Sequence, residues 1–150
     1  MRFEWIDGDG DLSGAHRVRD VVFLEEQNVP HEIERNVCED LQAMHLVVWE
    51  NDVAVACGRI LKKDDGLIWL QRIGVLAGYR GRGLGVRVTQ ALVDKVFAMG
   101  FGEVWLSSQT HAKGFYERLG FEACGDEYFE AGIAHVKMSL RKKDPGLCPG

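Results

Sequence analysis

The stretch that most limits what this chain can fold into runs from Leu67 to Phe97, LIWLQRIGVLAGYRGRGLGVRVTQALVDKVF. Leu67 to Val75 is apolar and rich in β-formers, the pattern of a buried strand. From Leu84 onward apolar residues fall at 84, 88, 92, 96 and 99, with Ala91 and Phe97 widening the stripe, and this specifies an amphipathic helix. Between strand and helix lie Gly81, Gly83 and Gly85 with Arg80 and Arg82 among them. A turn of this kind leaves the first helical N–H groups without intrahelical partners, at the positive end of the helix dipole. Glycine allows φ > 0 and a close backbone approach to a ligand, and arginine adds fixed charge and forked donors. The expectation is an anion cradle, most naturally for phosphate or pyrophosphate. The plainer alternative is a glycine-rich surface loop with two solvated arginines.

Common phosphate motifs do not fit. A P-loop requires Lys-Ser or Lys-Thr after the glycines, and none follows. A dinucleotide fingerprint requires a third glycine where Val86 stands and an acidic residue about 20 positions on, whereas Glu103 already opens the next strand. What remains is R-x-x-G-x-G, formed by Arg80, Gly83 and Gly85 and preceded by Ile73-Gly74-Val75.

The 150 residues are read as one domain. A net charge of −5 argues against nucleic acid as the main partner. No apolar run approaches a membrane span, and the start MRFEWIDGDGD is too acidic for a signal peptide. Cys38, Cys57, Cys124 and Cys148 form no CxxC pair, so they are read as reduced thiols of a cytoplasmic protein. His31-Glu32-Ile33-Glu34-Arg35 begins like a zincin helix but has arginine where the second histidine belongs, so no metal site is expected.

In chain order, Arg2 to Ile6 alternates as a first strand and Asp7 to Asp11 turns. Ser13 is expected to cap a helix carrying Ala15, Val18 and Val21 or Val22 on its apolar face and ending near Glu25. His31 to Ala43 is expected to be a long irregular loop with at most one helical turn. Met44 to Glu50 and Val53 to Leu61 flank Asn51-Asp52 as a hairpin that leads into the central strand. Glu103 to Ser108 is expected to run parallel to that strand, because a helix joins them. A short helix from about Ala112 to Leu119 and a hairpin of Phe121 to Tyr128 with Ala134 to Leu140 complete a domain at residues 1–141. The charged, then Pro/Gly-rich segment 142–150 is expected to be a mobile tail.

The order β-α-(α)-β-β-β-α-β-α-β-β, the RGRGLG segment and Ala112-Lys-Gly-Phe-Tyr-Glu-Arg-Leu-Gly-Phe121 together resemble the GNAT superfamily of N-acetyltransferases. Phe23 through Glu26-Gln27 to Pro30, Ser107-Ser108-Gln109 and Gly132-Ile-Ala-His135 with Met138 resemble its ElaA-like branch. The resemblance implies an α+β fold: a mixed, mostly antiparallel sheet with one parallel pair splayed at an acyl-CoA site, and helices on both faces. It implies acetyl transfer from acetyl-CoA to a primary amine by direct attack in a ternary complex, the amine belonging to a small molecule or a protein. A non-catalytic acyl-CoA sensor or partner module is the alternative, and the pattern leaves room for a homodimer.

Arg80, Gly81, Arg82, Gly83, Leu84 and Gly85 would hold the pyrophosphate. Ile73, Gly74 and Val75 would run beside pantetheine, with the Val75 N–H polarising the thioester carbonyl where the strands splay after residue 75. Gln109, which stands where the family often has a cofactor-contacting asparagine, and Phe115, packed beside Tyr116, would complete the cofactor site. Tyr116 is the expected general acid. For the general base Glu26, Glu127 and His135 remain open, with Glu26 and His135 preferred as acceptor-site residues. Two departures from the family pattern are Ala77, at a common proline position, and Gln109 itself.

Overall fold

The computed structural model describes residues 1–143. Its strands are β1 (Arg2–Asp7), β2 (Met44–Glu50), β3 (Val53–Lys62), β4 (Ile68–Val75), β5 (Glu103–Gln109), β6 (Glu122–Glu130) and β7 (Ile133–Arg141). They form a seven-stranded mixed sheet in the order β1-β2-β3-β4-β5-β7-β6. Every neighbouring pair is antiparallel except β4 and β5, which are parallel.

Side chains alternate across a strand, so β2 sends Leu46 and Val48 to one face and Val47 to the other. Helix α4 (Leu84–Ala98) covers the first face, burying Leu84, Val88, Leu92 and Val96 against Leu46, Val48, Leu70 and Leu106. It lies so close that a Cβ on Gly58 would stand 2.6 Å from Leu92 Cδ1. Helix α1 (Ser13–Arg19) covers the second face with Ala15 and Val18, and Val22 beyond it completes the contact with Val47 and Cys57. Helix α5 (Lys113–Arg118) follows a 3-10 turn after β5, and its Tyr116 packs edge-on against Phe121 of the larger core.

Several expectations are corrected. Ser13 makes no side-chain cap; its amide instead donates to Asp11 Oδ1 at 3.0 Å. The helical run that begins with α1 ends at Glu26, close to the expected Glu25, but its second half, Asp20–Glu26, is π-helical. The supposed loop 31–43 holds two short helices, α2 (His31–Glu34) and α3 (Val37–Gln42), the latter capped by the Asn36 side chain accepting the Glu39 amide at 3.1 Å. Met99 lies just past α4 and is exposed, so the apolar stripe ends at Val96. The Glu130-Ala131-Gly132 hairpin is present, with φ of +52° at Ala131 and +76° at Gly132. Lys142 still donates to the Gly102 carbonyl at 2.9 Å. The rest of the expected tail, from 144 on and including Cys148, lies outside the described residues.

The feature that makes a site is the brevity of the parallel pair. β4 and β5 are in register only at Trp69–Trp105 and Leu70–Leu106, so they part from residue 71 rather than after 75. A bulge helps. Arg72 and Ile73 together oppose Gly58, between the pairs Arg59–Gln71 and Cys57–Gly74, and Arg72 sits at φ +55°. A bulge bends its strand and adds twist, which turns the end of β4 away from β5. A non-glycine residue at positive φ costs about 1 kcal/mol or more.

Candidate functional site

At the outer end of the split the chain passes through Gly81 (φ +77°) and Gly83 (φ +78°), the latter standing immediately before α4. Among the described residues, no amide from Gly81 to Val86 finds an acceptor; the first to do so is Arg87, on the Gly83 carbonyl at 3.1 Å. Nothing lies within 4 Å of where a Cβ on Gly81 or Gly83 would stand, so the space before these amides is open. Gly85 differs, because the Phe115 ring lies 3.5 Å from its missing Cβ. A row of free donors at a helix N-terminus is complementary to an anion with several oxygens.

Arg80 closes the loop onto the strand. Its Nε donates to the Val75 carbonyl at 2.8 Å and its Nη2 to Glu26 Oε2 at 2.8 Å. Arg82 rests over the Tyr79 ring at 5.5 Å. Leu76 donates to Val55 on β3 at 3.0 Å, so the alternation of an antiparallel ladder turns the Val75 amide to the opposite edge, where β5 has parted. Gly74 lets the π-helical segment approach, with Val22 at 3.4 Å from its missing Cβ.

Where β4 and β5 part there is a cavity of about 470 Å³, lined by Ile73, Gln109, Tyr116 and His135 among others. Tyr116 meets Phe115 edge-on at 5.0 Å, and burial pushes its phenol up to about 12. It therefore stays protonated at any physiological pH. Against a thiol near ~8.5 the proton-transfer mismatch is about 5 kcal/mol, rather than the ~2 expected of an unperturbed phenol. His135 donates from Nδ1 to the Ile133 carbonyl at 2.6 Å, because a carbonyl can only accept. In the neutral ring Nε2 is then the bare acceptor. Gln109 donates to Gln27 Oε1 at 2.8 Å and takes His111 Nε2 on its own oxygen at 2.6 Å, which ties β5 to the end of the π-helical segment.

Tyr116, His135 and Gln109 thus come together, whereas Glu26 and Glu127 do not join them. Glu26 is fastened to Arg80 at the glycine loop, and Glu127 is exposed on β6; neither lines the cavity. Ser107, Tyr128 and Glu130 are among the cavity residues to which the sequence reading assigned no role. Ser107 Oγ bonds the Tyr128 hydroxyl and reaches Glu130 Oε2 at 3.2 Å, while the Tyr128 ring stacks on His135 with centroids 6.1 Å apart. The hairpin turn sets this register, since pairing Glu130 with Ile133 places Tyr128 opposite His135. That register was available from the turn alone.

A second cavity of about 250 Å³ adjoins the first beneath α2 and α3. Its floor is an ion network with no counterpart in the sequence reading. Arg19 donates to Glu34 Oε2 at 2.8 Å and to Asp40 Oδ1 at 2.8 Å, and Arg59 reaches the same Asp40 oxygen at 2.8 Å. Arg72 donates to Glu34 at 3.1 Å and Arg35 to the other Glu34 oxygen at 3.1 Å. Burial alone would raise the Asp40 carboxyl, but Arg19, His16 and Arg59 outweigh it and hold Asp40 well below the usual carboxylate range. Burial lowers His45, whose Nε2 bonds the Asp40 carbonyl at 2.9 Å. Among the described residues no group of three or more His, Cys, Asp or Glu is arranged to hold a metal ion, and no helix is long and apolar enough to cross a membrane.

With this geometry in hand, known proteins supply a frame. Residues 13–142 match the acetyltransferase (GNAT) domain family. An uncharacterised N-acetyltransferase of Bacillus subtilis, YjcF, is 37% identical over 128 residues, covering 85% of this chain and 90% of that protein. Protein ElaA of Escherichia coli is 33% identical over 128 residues, 82% of each chain. The ElaA crystal structure superposes with a TM-score of 0.83 at 26% identity, covering 94% of this chain and 100% of that one. A GNAT family acetyltransferase of Elizabethkingia anophelis with acetyl-CoA bound shares the fold, with a TM-score of 0.70 at 9% identity over 94% of this chain and 97% of that one.

Proposed function

The chain belongs to the GNAT acetyltransferase family and is a homologue of ElaA, and from that premise we propose that it moves an acetyl group from acetyl-CoA to a primary amine by direct attack in a ternary complex. The observation that carries this is the run of free amides from Gly81 to Val86, joined through the Gly85–Phe115 contact to Tyr116, which lines a cavity together with His135. A diphosphate fits those donors. When bound, acetyl-CoA supplies an activated thioester; everything else falls to this chain's residues.

Gly81 to Val86 hold the diphosphate through their N–H groups, and Arg80 and Arg82 add charge. Ile73 to Val75 line the path inward, with the Val75 amide available to a carbonyl oxygen in the gap. His135 accepts a proton from the acceptor's ammonium at Nε2, which leaves the nitrogen lone pair free to form the new N–C bond. Tyr116 gives its proton to the sulfur as the C–S bond breaks, and the second nitrogen proton restores the phenol. One net proton leaves through His135. The Tyr116 mismatch of about 5 kcal/mol lies below the roughly 7–11 kcal/mol that positioning can contribute. Glu26 serves as an anchor for Arg80 rather than as a base.

The test is thiol release from acetyl-CoA across a panel of amines. Steady CoA production with at least one amine is expected. CoA binding with no production for any acceptor would instead indicate an acyl-CoA sensor.

A further inference from the structure

We infer that Glu130 is the docking carboxylate for the ammonium group of the amine acceptor. This rests on the acyl-transfer reading above. Glu130 is the one acidic residue that lines both cavities. The other carboxylates of the smaller cavity are already compensated. Glu34 is held by Arg19, Arg35 and Arg72, and Glu39 lies 3.4 Å from Arg59. Among the described residues Glu130 has no Arg or Lys within 4 Å; its neighbours are the Ser107 hydroxyl at 3.2 Å and the imidazole of His135, Nε2 to Oε2, at 3.8 Å.

That last separation is too long for a hydrogen bond and leaves room for one nitrogen within reach of both atoms. An ammonium placed there is bound by the carboxylate and faces the bare Nε2 that would take its proton. The chain Tyr128 O–H to Ser107 O–H to Glu130 fixes the carboxylate, which makes Ser107 and Tyr128 positioning residues. Of the lysines and arginines that line the two cavities, Arg72 and Lys63 are engaged, while Lys137 lines the larger one with its Nζ 5.9 Å from the centroid of the Tyr128 ring. Arg72 is bonded to Glu34 and to the Ile33 carbonyl, and Lys63 sits 4.4 Å from the centroid of the Trp69 ring. Phe23, Val29, Ile33 and Ile133 share the lining of the smaller cavity with Gln27, Gln71 and Gln109.

The experiment titrates hexylamine, with hexanol as its uncharged counterpart, into the CoA-saturated protein and follows binding by calorimetry or NMR. Wild type should bind hexylamine well below the concentration needed for hexanol. Glu130→Gln should weaken hexylamine about ten-fold or more while hexanol is unchanged. Ser107→Ala and Tyr128→Phe should give smaller losses of about two- to five-fold, again confined to the amine. Glu127→Gln, on the same strand but outside both cavities, should do nothing. Undiminished hexylamine binding in Glu130→Gln, equal losses of amine and alcohol, or no hexylamine binding to wild type would each overturn the inference. Thiol release separates it from the broader reading. Binding without CoA release contradicts transfer and leaves the docking intact, whereas equal CoA release by wild type and Glu130→Gln at low hexylamine contradicts the docking and leaves transfer intact.

Discussion

The two ends of the cleft are built by opposite means. The glycine loop is local: a strand, a few residues at positive φ and a helix start, with binding groups supplied by the backbone. The floor beneath α2 and α3 is non-local, assembled from side chains of α1, α2, α3, β3 and β4 that meet only when the whole domain is folded. The first is open and expects a ligand to satisfy it. The second satisfies itself, and its charges hold the smaller cavity in shape. A contrast of this kind predicts that damage to the floor appears first as lost stability, and damage to the loop first as lost ligand.

Asp40→Asn should be the most severe change. It strips one partner from Arg19 and Arg59 together, and breaking a buried ionic cluster costs about 3–5 kcal/mol, a Tm drop of roughly 10 °C. Thermal unfolding would show it, and a drop under 2 °C would mean that the network is ornamental. Tyr116→Phe should lower CoA release by about 10²–10³-fold with CoA affinity unchanged, the usual range for losing a positioned acid. Equal turnover would remove that role.

Gly83→Val should weaken CoA by about 100-fold, through loss of charge-assisted hydrogen bonds, while costing only about 1–2 kcal/mol of stability. A Cβ at this position has no protein atom other than its chain neighbours within 4 Å, so its effect falls mainly on the ligand. Full affinity in this variant would place the diphosphate elsewhere.

The smallest effect concerns pH. Burial depresses His45, so below about 6.5 the unfolded chain takes up a proton that the folded one resists, and protonation favours unfolding. That stability is fully present above about 6.5 and declines as pH falls through the folded value, by up to about 1.4 kcal/mol per pH unit. Asp40, also depressed, adds its loss at more acid pH. His45→Gln should flatten the decline in Tm between pH 6.5 and 5, and an unchanged profile would refute the assignment.

The same contrast explains what the sequence revealed. The loop could be read because each element of it announces itself within a few residues: β-formers, then glycines, then a helical stripe. Chain order likewise announced the parallel pair, since a helix joins Val75 to Glu103. Segment 31–43 misled because its pattern is inverted. Ile33, Val37 and Leu41 face solvent, while Glu34 and Asp40 turn inward to Arg19 and Arg59, so apolar periodicity points the wrong way. Glu26 looked like an acceptor residue because it ends a helix near the site, but only the folded chain shows that Arg80 claims it. The bulge at Arg72 carries no glycine at the positive-φ residue itself, and so the early parting of β4 from β5 left no mark in the pattern.

The central claim is that unpartnered amides between Gly81 and Val86 wait for a diphosphate. Residue-resolved hydrogen exchange with and without CoA tests it most directly. Without CoA these six amides should exchange rapidly while those deeper in α4 are protected, and with CoA they should become protected as a block. Protection already present in the free protein, or exchange that CoA leaves unchanged, would contradict the account.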